Sequence, residues 1–261
     1  MFARHFTLSL AILLVANLAH AAIQSKTITY KVGDTECRGF LAWDDAIEGK
    51  RPGVLVVHEW WGLNDYARHR TEELAKLGYI AFAADMYGEG KTTEHPADAG
   101  KMAGEVRANI KQWRERAEAA LDVLKEQPEC DNEKLAAIGY CFGGATALQL
   151  AYAGADLDAV ATFHAALPAA TAEEAKQIKA ELLINHGADD PMIGAEAVAA
   201  FKKPLDEAGV KYEFIGYPGA VHSFTVPTAD KVGNPGMKYN KEADEKSWQA
   251  MKDLFARNLD K

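Results

Sequence analysis

The sequence predicts an α/β fold: a mostly parallel central sheet with helices on both faces and an antiparallel hairpin at the N-terminal edge. Two observations predict this fold. From the third short apolar run onward, β-type runs alternate with longer segments of helical periodicity, which is typical of parallel strands joined by helical crossovers. The first two runs are separated only by the turn-like Gly33-Asp34, which favours a hairpin. The eight predicted strands are 27–32, 39–43, 54–57, 80–84, 135–140, 159–163, 182–185 and 212–217.

The N-terminal residues have the pattern of a secretory signal peptide. Arg4 precedes the apolar run 6–18, and Ala19-His20-Ala21 places small residues at the two positions that signal peptidase reads. We therefore expect a signal peptide over 1–21, cleavage before Ala22, and an exported protein that is periplasmic or secreted. An uncleaved anchor is the alternative, although the apolar run is short for a membrane-spanning helix.

Length and charge limit what the remaining chain can be. Residues 22–261 have a length typical of one α/β domain with a substantial core. The formal net charge of the whole chain is −9, and loss of the single arginine in the leader makes it −10. Such acidity argues against nucleic acid or an anionic membrane surface as a partner, and favours a small molecule. The oligomeric state is not predicted by the sequence.

Four further segments have recognisable patterns. Residues 88–96 are polar and contain two glycines, so they are either a rim or lid over a site or an ordinary surface connection. Residues 97–124 have helical periodicity, as does the C-terminal segment 242–258. The irregular segment 225–239 precedes that last helix and is expected to shape the entrance to a substrate site.

The hexapeptide Gly139-Tyr140-Cys141-Phe142-Gly143-Gly144 indicates a strand, a sharp turn and a helix with a thiol at the turn. It has the form of the nucleophile elbow Gly-x-Ser-x-Gly, with sulfur in place of the hydroxyl oxygen. The N–H groups and the dipole at the helix N-terminus favour a thiolate at Cys141. The alternative is a buried structural cysteine, a common fate of free thiols.

A thiol nucleophile needs a base and a group that orients the base. One predicted strand ends in Gly187-Ala188-Asp189-Asp190-Pro191, and the next leads to His222. The chain order of nucleophile, acid and histidine is the one expected for an α/β-hydrolase sheet, and it predicts a triad of Cys141, Asp190 and His222. Individually, His222 is also compatible with a solvated loop position and Asp190 with a turn.

Neighbouring residues compete for two of these roles. The strand-Gly-x-x-Asp spacing favours Asp190 over Asp189, which we expect to be solvated or to cap the following helix. His58, His164 and His186 also end strand-like runs, but none occupies the third position in the chain order. Hydrogen bonding in loops or pocket walls is their expected role.

Acyl transfer also requires two N–H donors for the developing oxyanion. Phe142, directly after the thiol, is expected to supply one. The loop that follows the run 54–57 is expected to supply the other, from Trp60. The adjacent Glu59 is expected to contact the thiol or His222, with a surface turn charge as the alternative. No cluster of histidines and carboxylates has metal-ligand spacing, so neither a metal nor an organic cofactor is predicted.

Over residues 27–259 the chain closely resembles the dienelactone hydrolase family of α/β-hydrolases. The resemblance implies the cysteine, histidine and aspartate triad named above. It also implies that Glu59 controls the resting thiol and releases a thiolate when substrate enters, with Trp60 and Phe142 as the oxyanion hole. The motifs that carry it are Val56-Val57-His58-Glu59-Trp60-Trp61-Gly62, Ala84-Asp85-Met86-Tyr87-Gly88, the hexapeptide at 139–144, His186-Gly187-Ala188-Asp189-Asp190 and His222-Ser223-Phe224.

The sequence departs from the family where the substrate is expected. The lactonase that gives the family its name holds a substrate carboxylate with two arginines, and those places are Glu89 and Val226 here. An acid and an apolar group weaken the case for an anionic lactone. Trp61, Tyr87 and Phe224, together with the aromatic side chains of the oxyanion loops, indicate a pocket suited to a neutral or apolar acyl group.

The sequence therefore predicts an exported hydrolase that cleaves a carboxylic ester or lactone through an S-acyl intermediate on Cys141. A thioesterase, peptidase or acyltransferase on the same triad is one alternative. A non-catalytic protein that binds a small molecule is the other. Export also raises the hypothesis of a disulfide between Cys37 and Cys130, the two cysteines outside the elbow.

Overall fold

The computed structural model describes residues 23–259, which form an eight-stranded sheet with helices on both faces. The predicted signal peptide at 1–21 lies outside the described residues. Within those residues, no helix has the length and apolarity needed to cross a lipid bilayer. The strands are β1 Ile23–Val32, β2 Thr35–Asp44, β3 Arg51–Val57, β4 Ile80–Ala84, β5 Cys130–Tyr140, β6 Ala159–Phe163, β7 Glu181–Gly187 and β8 Tyr212–Tyr217.

The sheet confirms the predicted α/β-hydrolase architecture. Its strand order is β1-β2-β4-β3-β5-β6-β7-β8, with β1, β2 and β4 paired antiparallel and every pair from β3 to β8 parallel. The hairpin at Gly33-Asp34 joins β1 to β2. Because the carboxyl ends of the parallel strands meet at one edge, the loops that follow β3, β5, β6, β7 and β8 converge there.

Seven α-helices and one 3₁₀ turn complete the described fold. The segment 97–124, which was expected to be mostly helical, contains two helices with a break at Ala108 and Asn109. The Asn109 side chain accepts a hydrogen bond from the N–H of Gln112 (3.2 Å) and caps the second helix. The helices are α1 Asp65–Lys76, α2 Pro96–Arg107, α3 Ile110–Lys125, α4 Phe142–Tyr152, α5 Ala172–Ala175, α6 Ala195–Ala208 and α7 Lys241–Leu259, with the 3₁₀ turn at Ala229–Val232.

The apolar core lies in two layers, one on each face of the sheet. Helices α1 and α7 pack on one face, and α2 to α6 pack on the other. Helix α4 is buried along its whole length, which its alanine-rich sequence allows because small side chains let the helix approach the sheet closely. The N-terminus of this central helix is thereby fixed at the carboxyl edge of the sheet.

The hypothesis of a Cys37–Cys130 disulfide is wrong for this fold, since both thiols are free. Cys37 lies on β2 near Asp85, which follows the carboxyl end of β4. Cys130 begins β5 opposite Arg51, the first residue of β3. The two cysteines therefore lie at opposite ends of the sheet, too far apart for the geometry of a disulfide.

Candidate active site

The loop between β5 and α4 places Cys141 at a strained turn. Its φ and ψ are +52° and −112°, a backbone conformation that residues other than glycine seldom adopt. Two glycines make the turn possible. A Cβ at Gly139 would collide with the carbonyl oxygen of Gly143, and a Cβ at Gly143 would collide with that of Val57. The sequence Gly-x-Cys-x-Gly thus folds as an elbow because strand, turn and helix pack backbone to backbone.

His222, in the loop after β8, meets Asp190, in the loop after β7. The imidazole Nδ1 lies 2.8 Å from Asp190 Oδ2, and both residues are about 5% exposed. The other carboxylate oxygen of Asp190 accepts a hydrogen bond from the N–H of Met192 (2.8 Å). Asp189 is exposed and accepts from the N–H of Gly219 instead (3.1 Å), so it does not cap the following helix. The structure therefore brings the predicted aspartate, and not its neighbour, to the imidazole.

The same imidazole is in hydrogen-bonding contact with the Cys141 sulfur. Burial by itself lowers the pKa of His222, but the sulfur and the Asp190 carboxylate outweigh burial and hold that pKa well above its ordinary value. The arrangement favours a protonated imidazole next to the sulfur. A nucleophile, a base and a group that orients the base are thus contiguous, from three different loops.

Glu59 follows β3 and is 3% exposed beside this trio. Its Oε1 accepts a hydrogen bond from the Ser223 hydroxyl (2.9 Å). Burial raises the pKa of Glu59 to about 6, although the Ser223 hydroxyl and the charge of His222 act in the opposite direction. Glu59 is therefore an internal acid and not the surface charge that was the alternative.

The two expected oxyanion donors lie on either side of the elbow. Phe142 is the first residue of α4, and the first N–H groups of a helix have no partner within it. The Trp60 N–H belongs to the peptide whose carbonyl oxygen, that of Glu59, contacts His58 Nδ1, and the next carbonyl oxygen, that of Trp60, accepts from the Tyr87 hydroxyl (2.9 Å). Tyr87 also packs on Phe142, with ring centroids 5.7 Å apart. The positions suit an oxyanion hole, and the role itself stays a prediction.

A cavity of about 410 Å³ opens beside Glu59, and Trp61 forms part of its wall. Val226, at the place of the second family arginine, contributes an apolar patch to the same wall. Tyr87 instead borders a separate cleft of about 430 Å³ with Glu89. Other residues on the wall of the first cavity are Tyr66, Thr93, Glu94, Thr228, Lys231 and Met237.

The prediction that Phe224 lines the substrate pocket is wrong. Phe224 is fully buried, and it packs edge-on against His164 at a centroid distance of 5.3 Å and against Tyr217 at 5.5 Å. It packs beneath the loop that carries His222, on the side of the protein interior. An apolar side chain two residues after the base satisfies a core position and a pocket position equally well in sequence, which is why the two could not be told apart.

The two segments expected near the entrance both reach the cavity. In 88–96, the N–H of Thr93 donates to the Trp61 carbonyl oxygen (3.0 Å), and Thr92 forms an antiparallel bridge with Gly62. In 225–239, the 3₁₀ turn Ala229–Val232 forms part of the wall. The first segment is thus a rim hydrogen-bonded to the loop after β3.

The other three histidines have structural partners. The N–H of Met86 donates to His58 Nε2 (3.2 Å), so Nδ1 of His58 carries its proton and donates to the Glu59 carbonyl oxygen. His186 packs on Phe214, with ring centroids 5.4 Å apart. His164 is fully buried and packs against His222, with ring centroids 5.3 Å apart.

Sequence reasoning missed several residues that support the site. Ser223 contacts Glu59, and its place directly after His222 in a quoted motif was the available signal. A buried polar chain formed by Arg70, Tyr66 and Thr225 reaches His164 from the opposite side. These residues are 155 or more positions apart between α1 and the loop after β8, so no local pattern could have joined them.

Comparison with known proteins agrees with this geometry. A model of the dienelactone hydrolase family matches residues 37–259. Protein usf of Aquifex pyrophilus is 30% identical over 216 residues, which cover 80% of this chain and 90% of that protein. A Synechocystis sp. protein provisionally named carboxymethylenebutenolidase is 29% identical over 255 residues, covering 91% of this chain and 98% of that protein.

A solved structure is also similar to this chain. A dienelactone hydrolase-like promiscuous phosphotriesterase from metagenomic libraries is similar with a TM-score of 0.89 and 42% sequence identity, covering 91% of this chain and 99% of that chain. A family match across most of the chain, together with the elbow and the order of the loops, leads to one conclusion. The chain belongs to the dienelactone hydrolase family.

Proposed function

We propose that this family member, a hydrolase of carboxylic esters or lactones, works through an S-acyl intermediate on Cys141. The observation that carries the proposal is the His222 imidazole, which contacts the Cys141 sulfur and lies 2.8 Å from Asp190. This is the geometry that converts a thiol into a nucleophile and later supplies a proton to the leaving group.

In the first half of the reaction, the sulfur of Cys141 attacks the acyl carbon and the carbonyl electrons move to its oxygen. The backbone N–H groups of Trp60 and Phe142 stabilise that oxyanion. When the C–O bond breaks, protonated His222 gives its proton to the departing alkoxide, and the acyl group stays on sulfur as a thioester. A lactone opens in the same step without losing its alcohol.

In the second half, neutral His222 takes a proton from water as the water attacks the thioester. The C–S bond breaks, the carboxylic acid leaves, and the sulfur again faces a protonated imidazole. Asp190 keeps Nδ1 of His222 as the donor throughout, so that Nε2 serves the reacting atoms. Glu59 in its ionised form takes the proton of any Cys141 that is in the thiol form, which regenerates the nucleophile.

The cavity favours a neutral acyl group. Trp61 and Val226 give its wall an apolar surface, whereas the only cation among its lining residues, Lys231, is exposed and shares the wall with Glu94. An anionic lactone would meet the carboxyl groups of Glu59 and Glu94 without a buried cation. Export to the periplasm or beyond, supported by the pattern at 1–21, completes the proposal.

The experiment is a pre-steady-state assay of the chain from Ala22 with 4-nitrophenyl esters of short and medium acids. The expected result is a burst of one nitrophenol per chain followed by turnover, lost in Cys141→Ala. Cys130→Ala, which removes a buried thiol at the end of β5 opposite to the elbow, is the matched control and should keep the burst. Nitrophenol release that survives in Cys141→Ala would overturn the covalent mechanism.

Two alternatives have distinct outcomes in the same assay. A transferase would give ester or amide products when an alcohol or amine is added, at the expense of the free acid. A binding protein would show alkylation of Cys141 but no turnover with any ester in the panel.

A further inference from the structure

His164 is the one active-site imidazole that the proposed reaction leaves without a task. It follows β6, it is fully buried, and its φ of +40° is unusual for a residue other than glycine. Its Nδ1 is buried without a hydrogen-bond partner among residues 23–259. That atom lies 3.8 Å from Oε1 of Glu59. A buried polar atom directed at a buried acid needs an explanation, because unsatisfied groups of this kind destabilise the fold.

A chain of hydrogen bonds fixes which nitrogen of His164 carries the proton. Arg70 Nε donates to the Tyr66 hydroxyl (3.2 Å), and Tyr66 donates to the Thr225 hydroxyl (2.6 Å). The Thr225 oxygen lies 2.7 Å from His164 Nε2. A guanidinium can only donate, and Tyr66 gives its single proton to Thr225. Among the described residues the proton of the Thr225 hydroxyl has no hydrogen-bond acceptor other than His164 Nε2. Thr225 therefore donates to Nε2, and the imidazole proton is on Nδ1.

The His164 imidazole stays neutral, so only one of its two nitrogens carries a proton. Burial lowers the pKa of His164 well below its ordinary value, and the positive charges of His222 and Arg70 act in the same direction. A neutral ring has a single N–H, and here it is on Nδ1, the nitrogen that lies 3.8 Å from Glu59 Oε1. Arg70 thus acts on the acid across two hydroxyl groups and one ring.

We propose that His164 is a positioning residue for Glu59, whose ionised carboxylate receives the Nδ1–H of His164 at Oε1. The proposal rests on the proposed function, in which ionised Glu59 takes the proton of the Cys141 thiol. Ser223 already donates to the same oxygen (2.9 Å), so both donors hold one side of the carboxylate and leave Oε2 for the proton.

Other groups that act on Glu59 come from three further elements. Tyr66 faces it from α1, and His222 faces it from the loop after β8. Glu94 and Lys231 lie across the cavity, one on the rim and one on the 3₁₀ turn. None of these groups is hydrogen-bonded to His164, whereas Thr225→Val also removes the acceptor of the Tyr66 hydroxyl. A shift in the titration of Glu59 that His164→Gln and Thr225→Val share therefore reports the donor.

Two substitutions of His164 separate its nitrogens. In His164→Asn the amide nitrogen takes the place of Nδ1, and in His164→Gln it takes the place of Nε2. The readout is the pH dependence of Cys141 alkylation by iodoacetamide, with alkylation sites identified by mass spectrometry. In His164→Gln we expect the acid limb of the rate profile to move up by about one pH unit, with about fivefold slower alkylation at pH 6. In His164→Asn the limb should stay near that of the wild type.

Thr225→Val tests the hydrogen-bond chain without touching the ring. Loss of the Thr225 hydroxyl removes the donor to Nε2 and allows His164 to adopt the other tautomer. The variant should therefore show the same shift of the acid limb as His164→Gln. Thr162→Val is the matched control, since Thr162 is an equally buried threonine on β6 outside the chain. The urea midpoints of all variants show that each is folded.

An unshifted acid limb in both His164→Gln and Thr225→Val overturns the proposal, as does an equal shift in His164→Asn and His164→Gln. Alkylation requires no turnover, so it is independent of whether any ester is hydrolysed. A protein that shows the expected shifts but no burst with nitrophenyl esters would refute the proposed function and leave the role of His164 in place.

Discussion

Replacement of Asp190 by asparagine tests the orientation of the His222 imidazole most directly. The contact is short, 2.8 Å, and both residues are about 5% exposed, so the charge is poorly screened by water. Removing one partner of a buried pair costs about 3–5 kcal/mol. Because the imidazole is protonated as the thiol reacts, most of that cost falls on the transition state. At 1.36 kcal/mol for each power of ten, kcat/KM should fall by about two to four powers of ten.

The assay is steady-state hydrolysis of a 4-nitrophenyl ester together with the rate of Cys141 alkylation. Both should fall in Asp190→Asn, since the pKa of His222 falls when the carboxylate is lost. Asp189→Asn is the matched control, because that side chain is exposed and bonds only the N–H of Gly219, and its rate should change by less than about twofold. Asp190→Asn within about threefold of the wild type would refute the assignment of the orienting acid.

Three further changes affect stability. Arg70→Met removes the ion pair with Asp244 from the interior and should lower the free energy of unfolding by about 3 kcal/mol, measured by urea denaturation. Gly143→Ala forces a Cβ into the carbonyl oxygen of Val57 and should cost at least about 3 kcal/mol or prevent folding, measured by soluble yield and thermal unfolding. Since burial raises the pKa of Glu59 from 4.5 to about 6, the folded state holds this proton more tightly than the unfolded chain, so stability falls as pH rises through that interval. Relative to Glu59→Gln, the wild type should lose about 2 kcal/mol between pH 4.5 and pH 7.

Each of these has a clear contrary outcome. A urea midpoint unchanged in Arg70→Met would mean that the ion pair contributes nothing to stability. A Gly143→Ala variant as stable as the wild type would contradict the close approach of α4 to β3. Parallel stability curves for the wild type and Glu59→Gln between pH 4.5 and pH 7 would show that Glu59 titrates normally.

Much of the fold and the central trio was predictable because the pattern is local. The thiol turn needs glycines within two residues of Cys141, and Asp190 and His222 each follow an apolar strand directly. Strand-end loops of a parallel sheet converge whatever the length of the connections between them. Position along the chain was therefore enough to predict which side chains meet.

The environment of Glu59 was not predictable in the same way. Its pKa depends on burial and on Ser223 and His222, more than 160 positions away, which no sequence window can join. The prediction for Phe224 failed for a related reason, since an aromatic residue beside a catalytic loop is equally compatible with the core and with a pocket wall. The break between α2 and α3 was not predicted, because its first residue, Ala108, is of a type that favours helices.

The arrangement of the loops also gives the site an order of appearance during synthesis. A growing chain exposes the elbow with β5, its acid only after β7, and its base only after β8, the last strand to join the sheet. A nascent or truncated chain that ends before Tyr212 therefore has the sulfur but no imidazole to activate it. The triad can therefore be complete only when nearly the whole domain has been synthesised.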